Sequence, residues 1–195
     1  MSSIKKSVKT VSIITITQFK RFDCLKVLFE MIKRQNYKNI IEWVIVEGSS
    51  TEKEALLNKE LIKNQFENIK SQVNFSYNYI EYSGQKLGGL RNIGNKACIG
   101  DIIVCLDDDD YYPPERISEA VEKLSNSKSL IGGVSDVYLY DFFINKFKRR
   151  VLLIRHFELR HNMADLKQKC MFQQPFTIQL DAIFCTDGLG KIIAL

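Results

Sequence analysis

The sequence predicts an α/β protein: an open, mainly parallel twisted sheet flanked by helices, with a short mixed region after it. Three observations lead there. Apolar, β-branched runs alternate with helical patterns four times before residue 126, as parallel strands joined by right-handed crossovers require. The second of these runs ends in a short polar loop, residues 47–51, that leads straight into a helix. The fourth, residues 101–106, ends in four consecutive carboxylates, Asp107, Asp108, Asp109 and Asp110.

In chain order, residues 1–10 are polar and basic, a loose terminus. Val11–Thr17 is rich in β-branched residues and reads as the first strand. Residues 18–22 form a loop. Asp23 is the expected N-cap of a helix to about Gln35, with Leu25, Leu28, Phe29 and Ile32 at helical spacing. Residues 36–39 break it, and 40–46 are the second strand. The next helix runs to about Asn68, capped by Ser50 or Thr51, with Glu54 completing a capping box and Leu57, Leu61 and Ile62 facing inward. Residues 74–82 alternate around Phe75, Tyr77 and Tyr79 and read as the third strand. The glycine-containing stretch 83–92 carries Lys86 and Arg91, cations suited to phosphate oxygens, although glycine pairs most often simply make turns. Residues 90–97 form a short helix stopped by Gly100, and the acidic strand follows. Beyond it, 130–140 reads as a strand bent at Gly132 and Gly133, and 142–157 as a hairpin turning near Asn145 and Lys146. Residues 158–174 read as helix, 177–181 as a short strand, Asp187 and Gly188 as a turn, and 191–195 as a tail.

Ligands of open α/β sheets bind beyond the carboxyl ends of the strands, so the fourth strand aims its acids at a binding crevice. Two unit charges about 4 Å apart repel by roughly 4 kcal/mol at an effective dielectric of 20. Such a group stays ionised only if solvent, donors or a cation offset that repulsion. Mg²⁺ and Mn²⁺ prefer carboxylate oxygens together with phosphate oxygens. The plainer alternative is a solvated acidic turn, with Asp110 near a helix start and Pro114 as its first residue. Four Asp at the end of a buried strand favour the metal.

The chain has 195 residues, 45% hydrophobic and 26% charged, which suits one soluble globular domain with a single core. Its net charge is +5, much of it in Lys5, Lys6 and Lys9 and in Lys146, Lys148, Arg149 and Arg150, with the other basic residues spread along the chain. That suits anionic partners without specifying one; dispersed, and without a reader motif, it argues against nucleic acid. No apolar segment is long enough to span a bilayer, and the first residues lack a signal-peptide core, so a cytoplasmic location is expected. The cysteines, Cys24, Cys98, Cys105, Cys170 and Cys185, are odd in number and form no CxxC, which reads as free thiols in a reducing compartment, Cys98 and Cys105 in the core.

Taken together, the first 125 residues resemble the nucleotide-binding half of family 2 glycosyltransferases, which have the GT-A fold, a Rossmann-like open sheet. Four pieces match in order. The run 11–17 (VSIITIT) is similar to the family's first strand, whose end, here Thr15 and Thr17, meets the nucleobase. The run 44–51 (VIVEGSST) is similar to the strand and acidic loop that hold uridine. The run 88–94 (GGLRNIG) is similar to its Ala-Arg-Asn-x-Gly stretch, and 106–110 (LDDDD) to its Asp-x-Asp motif. There are departures: Glu47 stands where the family has Asp, no Pro-x-x-Asn follows the first strand, and the second half is short. The expected division is a single domain over 1–195, with 1–125 binding nucleotide and 126–195 forming a short acceptor-side half.

The resemblance implies a hexosyltransferase-type enzyme that moves a sugar from a nucleotide-sugar donor, here a UDP-sugar, to a hydroxyl of a glycan, protein or lipid acceptor. It implies inversion, with Mn²⁺ or Mg²⁺ as cofactor. A departing pyrophosphate needs a Lewis acid, assisted by Lys or Arg. In this reading Asp109 ligates the metal and Asp107 contacts ribose or metal. Asp108 and Asp110 support them or share ligation through water, giving Asp107, Asp109 and Asp110 as the ligand set. Lys86, Arg91, Asp107 and Asp108 bind the donor, and Arg91 organises the acids and the diphosphate. Glu47 accepts from the uracil N–H or a ribose hydroxyl, or is merely a loop acid. Inversion needs a base at the acceptor hydroxyl. Asp165 is the first choice, with Asp181 and Glu158 as alternatives; a solvent-facing helix acid is its plainer reading. His161 is a third metal ligand or a structural or exposed histidine. Rival readings are a catalytically inactive nucleotide- or glycan-binding module, or a sugar-1-phosphate nucleotidyltransferase. The latter should carry glycines straight after the first strand, where residues 18–22 have none. A phosphatase with an Asp-x-Asp nucleophile would place that motif on the first strand.

Overall fold

The computed structural model describes residues 8–81, 86–127, 129–133, 136–141, 146–151 and 192–194. The chain divides into two compact units, residues 1–132 with 188–195, and residues 133–187. In the first unit, strands β1 (Val11–Thr17), β2 (Ile40–Glu47), β3 (Ser76–Ile80), β4 (Ile102–Cys105) and β5 (Ile131–Gly132) alternate with helices α1 (Phe22–Lys33), α2 (Glu52–Ile69), α3 (Leu87–Ala97) and α4 (Arg116–Ser125). In the second unit, β6 (Asp136–Asp141) and β7 (Lys146–Val151) form an antiparallel pair, Asp136 opposite Val151 and Asp141 opposite Lys146. A last strand, β8 (Ile192–Ala194), returns to the first unit.

The large sheet has the order β3-β2-β1-β4-β8-β5, and every neighbouring pair is parallel. The chain winds outward from β1 to β3 and then returns to place β4 on the other side of β1. The β1/β4 junction is therefore the topological switch point, where a crevice opens beyond the strand ends. Thr17 ends β1, and the run Asp107 to Asp110 begins two residues after β4, so both meet there.

Alternate residues of each strand face opposite layers. Val11 and Ile13 of β1, Trp43 and Ile45 of β2, and Ile102 and Val104 of β4 join one apolar cluster. Leu25, Leu28, Phe29 and Ile32 of α1, Ile62 and Phe66 of α2, and Ile117, Ala120, Val121 and Leu124 of α4 complete it. Trp43 is its centre, with ring centroids 6.3 Å from Phe29 and 5.5 Å from Phe66, and its indole N–H donates to Thr15 Oγ1 at 3.0 Å. The β1 residue between, Ile14, lies under α3 at Gly94, where a Cβ would come within 2.2 Å of Ile14 Cδ1 and 2.9 Å of Val46 Cγ2.

Several local expectations are revised. Arg21, not Asp23, occupies the cap position of α1. Asp23 sits in the first turn, paired with Lys26 at 2.6 Å, where the helix dipole suits a carboxylate. Thr51 caps α2 by accepting from Glu54 N–H at 3.2 Å, but Leu57 and Leu61 are exposed. The inward stripe is Ala55, Asn58, Ile62, Phe66 and Ile69, a phase set by Asn58 turning in to meet a buried carboxylate. Gly88 and Gly89 lie in the first turn of α3 rather than in a loop. Cys98 closes α3; Gly100 serves close approach instead, since a Cβ there would lie 2.6 Å from Ser12 N. Helix α4 begins at Arg116, two residues after Pro114. The 130–140 segment is two strands, β5 and β6, in different units. The hairpin starts at Asp136, and the supposed tail at 191–195 contains β8, seated between β4 and β5. The helix expected at 158–174 and the strand at 177–181 lie outside the described residues.

Packing at Gly94 yields a paired prediction. Gly94→Ala should destabilise the protein by about 1–3 kcal/mol, because the added methyl has no room against Ile14 and Val46. Gly88→Ala meets nothing within 4 Å and should be neutral or stabilising by about 0.5–1 kcal/mol. Denaturant unfolding of the two variants measures the contrast; equal effects would refute the packing account.

Candidate active site

The acidic loop is fastened at both edges of the switch point. Leu106 N–H donates to Ile14 O at 3.0 Å, continuing the β1–β4 ladder past the end of β4. Thr15 Oγ1 donates to Leu106 O at 2.7 Å. The next residue carries the first acid, and its backbone N–H donates to Tyr112 Oη at 2.7 Å. Tyr112 in turn donates its N–H to Met31 Sδ at 3.2 Å, tying the loop to α1. Burial pushes the Tyr112 phenol well above its usual range, with Asp110 and Asp107 adding to the shift, so it stays a neutral hydroxyl. Gln35, at the end of α1, donates to Pro113 O at 2.8 Å and accepts from Ile117 N–H at 3.1 Å. One buried amide thus anchors the segment after the acids and caps the first turn of α4.

The four carboxylates part company. Asp107 is half-buried and receives Arg91 Nη2 on both oxygens, at 3.1 and 3.2 Å. Arg91 is itself 5% exposed, so α3 places a nearly buried cation beneath this acid. Asp108 is 4% exposed and turns inward. It accepts from Thr17 Oγ1 at 2.8 Å and from Arg21 Nε at 3.1 Å, with Arg21 Nη2 2.5 Å from its other oxygen. Asp109 points outward, its side chain 58% exposed, and meets the same Arg21 Nη2 at 2.6 Å. Asp110 is exposed. Burial raises the Asp108 carboxyl above its ordinary range, although Thr17 and Arg21 both favour its charged form. Burial works against the Arg21 charge too, but Asp109 and Asp108 more than offset it, and the guanidinium is held firmly protonated. Burial also pushes the Cys105 thiol up to about 12, which leaves it an inert part of the strand.

These contacts reassign several expected residues. Thr15 and Thr17 are 1% and 3% exposed and spend their hydroxyls on Leu106 O and Asp108, so they position the acidic loop rather than meet a base. Glu47 is fully buried. One oxygen accepts from Ser49 N–H at 2.7 Å and from Ser49 Oγ; the other accepts from Tyr79 Oη at 2.7 Å and from Asn58 Nδ2. Four donors saturate it, so in this geometry it offers nothing to a uracil N–H or a ribose hydroxyl. The reason is the longer arm of Glu, which carries the carboxylate back between α2 and β3. Asn58 commits its amide N–H to it, and among the described residues its Oδ1 meets no hydrogen-bond partner. Lys86 is exposed at the cap position of α3. Asp165, Asp181, Glu158 and His161 lie outside the described residues.

Among the described residues, no three Asp, Glu, His or Cys side chains converge where one ion could sit. The expected set of Asp107, Asp109 and Asp110 is therefore not a preassembled cage. Asp108 is spent on the interior, Asp107 is half-exposed with both oxygens on Arg91, and Asp109 and Asp110 are exposed. That donor set suits a hard cation such as Mg²⁺ or Mn²⁺, which takes one or two carboxylates and completes its shell with water and phosphate. A positive charge already stands against Asp109, in the Arg21 guanidinium. Arg21 was missed in the sequence, as was Tyr112. Charge balance could have found Arg21: four adjacent acids need cations from neighbouring loops at the same end of the sheet, and Arg21 follows β1.

Asp108 carries a pH prediction. Its folded value lies above the ordinary 3.8, so the fold favours the protonated form. That stabilisation is complete below the ordinary value and is lost as pH climbs through the raised one. Asp108→Asn should flatten this fall in unfolding free energy as pH rises above the ordinary carboxylate value. Urea titrations at each pH measure it; superimposable pH profiles would remove the abnormal titration.

Comparisons with known proteins bear on the family and the fold. The model of glycosyl transferase family 2 matches residues 12–189. No curated protein matches the sequence. Among solved structures, the mannosyltransferase PcManGT from Pyrobaculum calidifontis, in complex with GDP-Man and Mn²⁺, is similar with a TM-score of 0.54 and 18% identity, over 67% of this chain and 36% of that one. TarS from S. aureus, in complex with UDP-GlcNAc, is 21% identical over 64% of this chain and 35% of its own, with a TM-score of 0.46. The chain thus spans little more than a third of the structures it matches. Among the described residues no helix is long and apolar enough to cross a membrane. With a parallel sheet wound as in the GT-A fold and a family match over well more than half its length, the chain belongs to glycosyl transferase family 2.

Proposed function

We propose that this chain binds a nucleoside-diphosphate sugar, a UDP-sugar first among them, and transfers its sugar with inversion to a hydroxyl acceptor. The observation that carries the reading is the pair of carboxylates, half-exposed Asp107 and exposed Asp109, at the β1/β4 switch point with Arg91 locked beneath Asp107. Asp109 and Asp107 would hold Mn²⁺ or Mg²⁺, which when bound supplies a Lewis acid for the departing diphosphate. Arg91 orients Asp107 through both carboxylate oxygens, and adds positive charge where pyrophosphate charge develops. Tyr112 fixes the backbone from which Asp107 projects. Glu47 holds the β2–α2 loop rigid from inside, so base preference must be set by other groups. The donors of the similar structures, GDP-Man and UDP-GlcNAc, therefore define the panel to screen. Asp165 is the proposed base for the acceptor hydroxyl, with Asp181 and Glu158 behind it. The acceptor is a glycan, protein or lipid hydroxyl.

Calorimetric titration of UDP and GDP with Mn²⁺, and again with excess chelator, tests donor binding. Metal-dependent binding is expected, and Asp109→Asn should weaken it about 10-fold or more, roughly 1.4 kcal/mol. Undiminished binding by that variant would sink the assignment. Transfer is tested separately by turnover of the preferred donor: Asp165→Asn should lower it about 10²–10⁴-fold with donor affinity retained. Unchanged turnover removes Asp165 as the base, and donor binding without turnover in the unmodified protein leaves a binding module.

A further inference from the structure

Arg21 makes two ties to the acidic loop that differ in kind. Its tie to Asp108 is two-pronged, Nε and Nη2 on the two oxygens at 3.1 and 2.5 Å, and Asp108 is 4% exposed and also bound by Thr17. Among the described residues, Arg21 is the cation paired with this buried carboxylate. The tie to Asp109 is a single contact at 2.6 Å, to a side chain 58% exposed that solvent can reach. The backbone is shaped for this arrangement: Lys20, immediately before, has φ 75°, a left-handed conformation that side chains other than glycine rarely adopt, as the loop after β1 turns back toward β4. The fourfold acid run also explains why the cation is needed. An Asp at the inward position, Asp108, brings a buried negative charge beneath Asp107 and Asp109.

We propose that Arg21 is a resident counter-cation of this site, which occupies Asp109 in the free protein and must yield it before a divalent cation binds there. The proposal rests on the donor-site reading above. Arg21 remains on Asp108 throughout, so its positive charge stays close to the incoming ion and opposes it. A nucleoside diphosphate relieves that opposition, because its phosphate oxygens bring negative charge that both cations share. Arg21 therefore makes cation binding conditional on the diphosphate: weak for the ion alone and strong for the ion with nucleotide.

The test is calorimetric titration of Mn²⁺, alone and with saturating UDP, into the unmodified protein, Arg21→Gln, Arg21→Lys and the double variant Arg21→Gln/Asp109→Asn, with thermal unfolding of each. Arg21→Gln should bind Mn²⁺ alone about 5–10-fold more tightly than the unmodified protein, and UDP should enhance that binding less. Arg21→Lys, which keeps the charge but not the fork, should bind Mn²⁺ alone as weakly as the unmodified protein. The double variant should lose the gain. A purely structural Arg21 predicts the opposite sign, with Mn²⁺ affinity falling together with the unfolding temperature, and that result overturns the proposal. So does Mn²⁺ affinity unchanged in Arg21→Gln while the unmodified protein binds Mn²⁺ with UDP; in that case the donor-site reading survives. Absence of Mn²⁺ binding in every protein, with UDP present, removes both.

Discussion

Mutual repulsion among four consecutive carboxylates is the constraint around which this end of the protein is built. The fold answers it by setting two arginines, one from a helix and one from a loop, against three of the acids. Arg91 comes from α3 and takes Asp107. Arg21 comes from the loop after β1 and takes Asp108 and Asp109. The two cations approach from elements that flank the β1/β4 junction, so the acids can be neutralised only when β4 is seated beside β1. Winding of the sheet and charge of the site are thus one condition, and a pair of buried or half-buried ion pairs also records the topology.

Around that core of charge, neutral groups do the positioning. Thr15 receives the Trp43 indole N–H and passes its own hydroxyl to Leu106 O, so the aromatic centre of the core is linked by two hydrogen bonds to the residue before the first acid. Gln35 and Met31 bring the end of α1 against the residues that follow the acids. The loop therefore lacks the freedom of an ordinary acidic turn. Its backbone is held at Leu106, Asp107, Tyr112 and Pro113. Asp107 therefore projects from a backbone held at Leu106 before it and at its own N–H.

Glu47 shows how one added methylene reassigns a residue. At the end of β2 it stands opposite Thr17 in the sheet register, beside the same crevice. A carboxylate on a shorter arm would stay near the strand end. The longer arm reaches Asn58 and Tyr79, gathers Ser49 as well, and becomes the internal clasp of the β2–α2 loop. Burial raises the Tyr79 phenol far above its usual range, helped by the carboxylate that accepts its proton, so the hydroxyl remains a donor at all ordinary pH. The same demand turns Asn58 inward and rotates the buried stripe of α2, exposing Leu57 and Leu61.

By itself the sequence determined the elements whose signals are local. The β-branched runs of β1 and β2, the helical spacing of Leu25, Leu28, Phe29 and Ile32, and the apolar strand ending in Asp107 were readable because strand and helix periods are written in neighbouring residues. Their alternation sufficed for a parallel α/β sheet, and the position of the acids after a strand sufficed to place them at its carboxyl edge. Tertiary structure decided what depends on residues far apart in the chain. It chose which acid faces inward, because Thr17 and Arg21 lie 91 and 87 positions from Asp108. It chose the partners of Glu47, 11 and 32 positions away at Asn58 and Tyr79. It also placed the short run Ile192–Ala194 between β4 and β5, where pairing with a preformed sheet, and no local propensity of three residues, makes the strand. A side chain's type sets what it can bind. Whether that capacity is spent inside the protein or kept for a ligand is settled only when distant donors arrive.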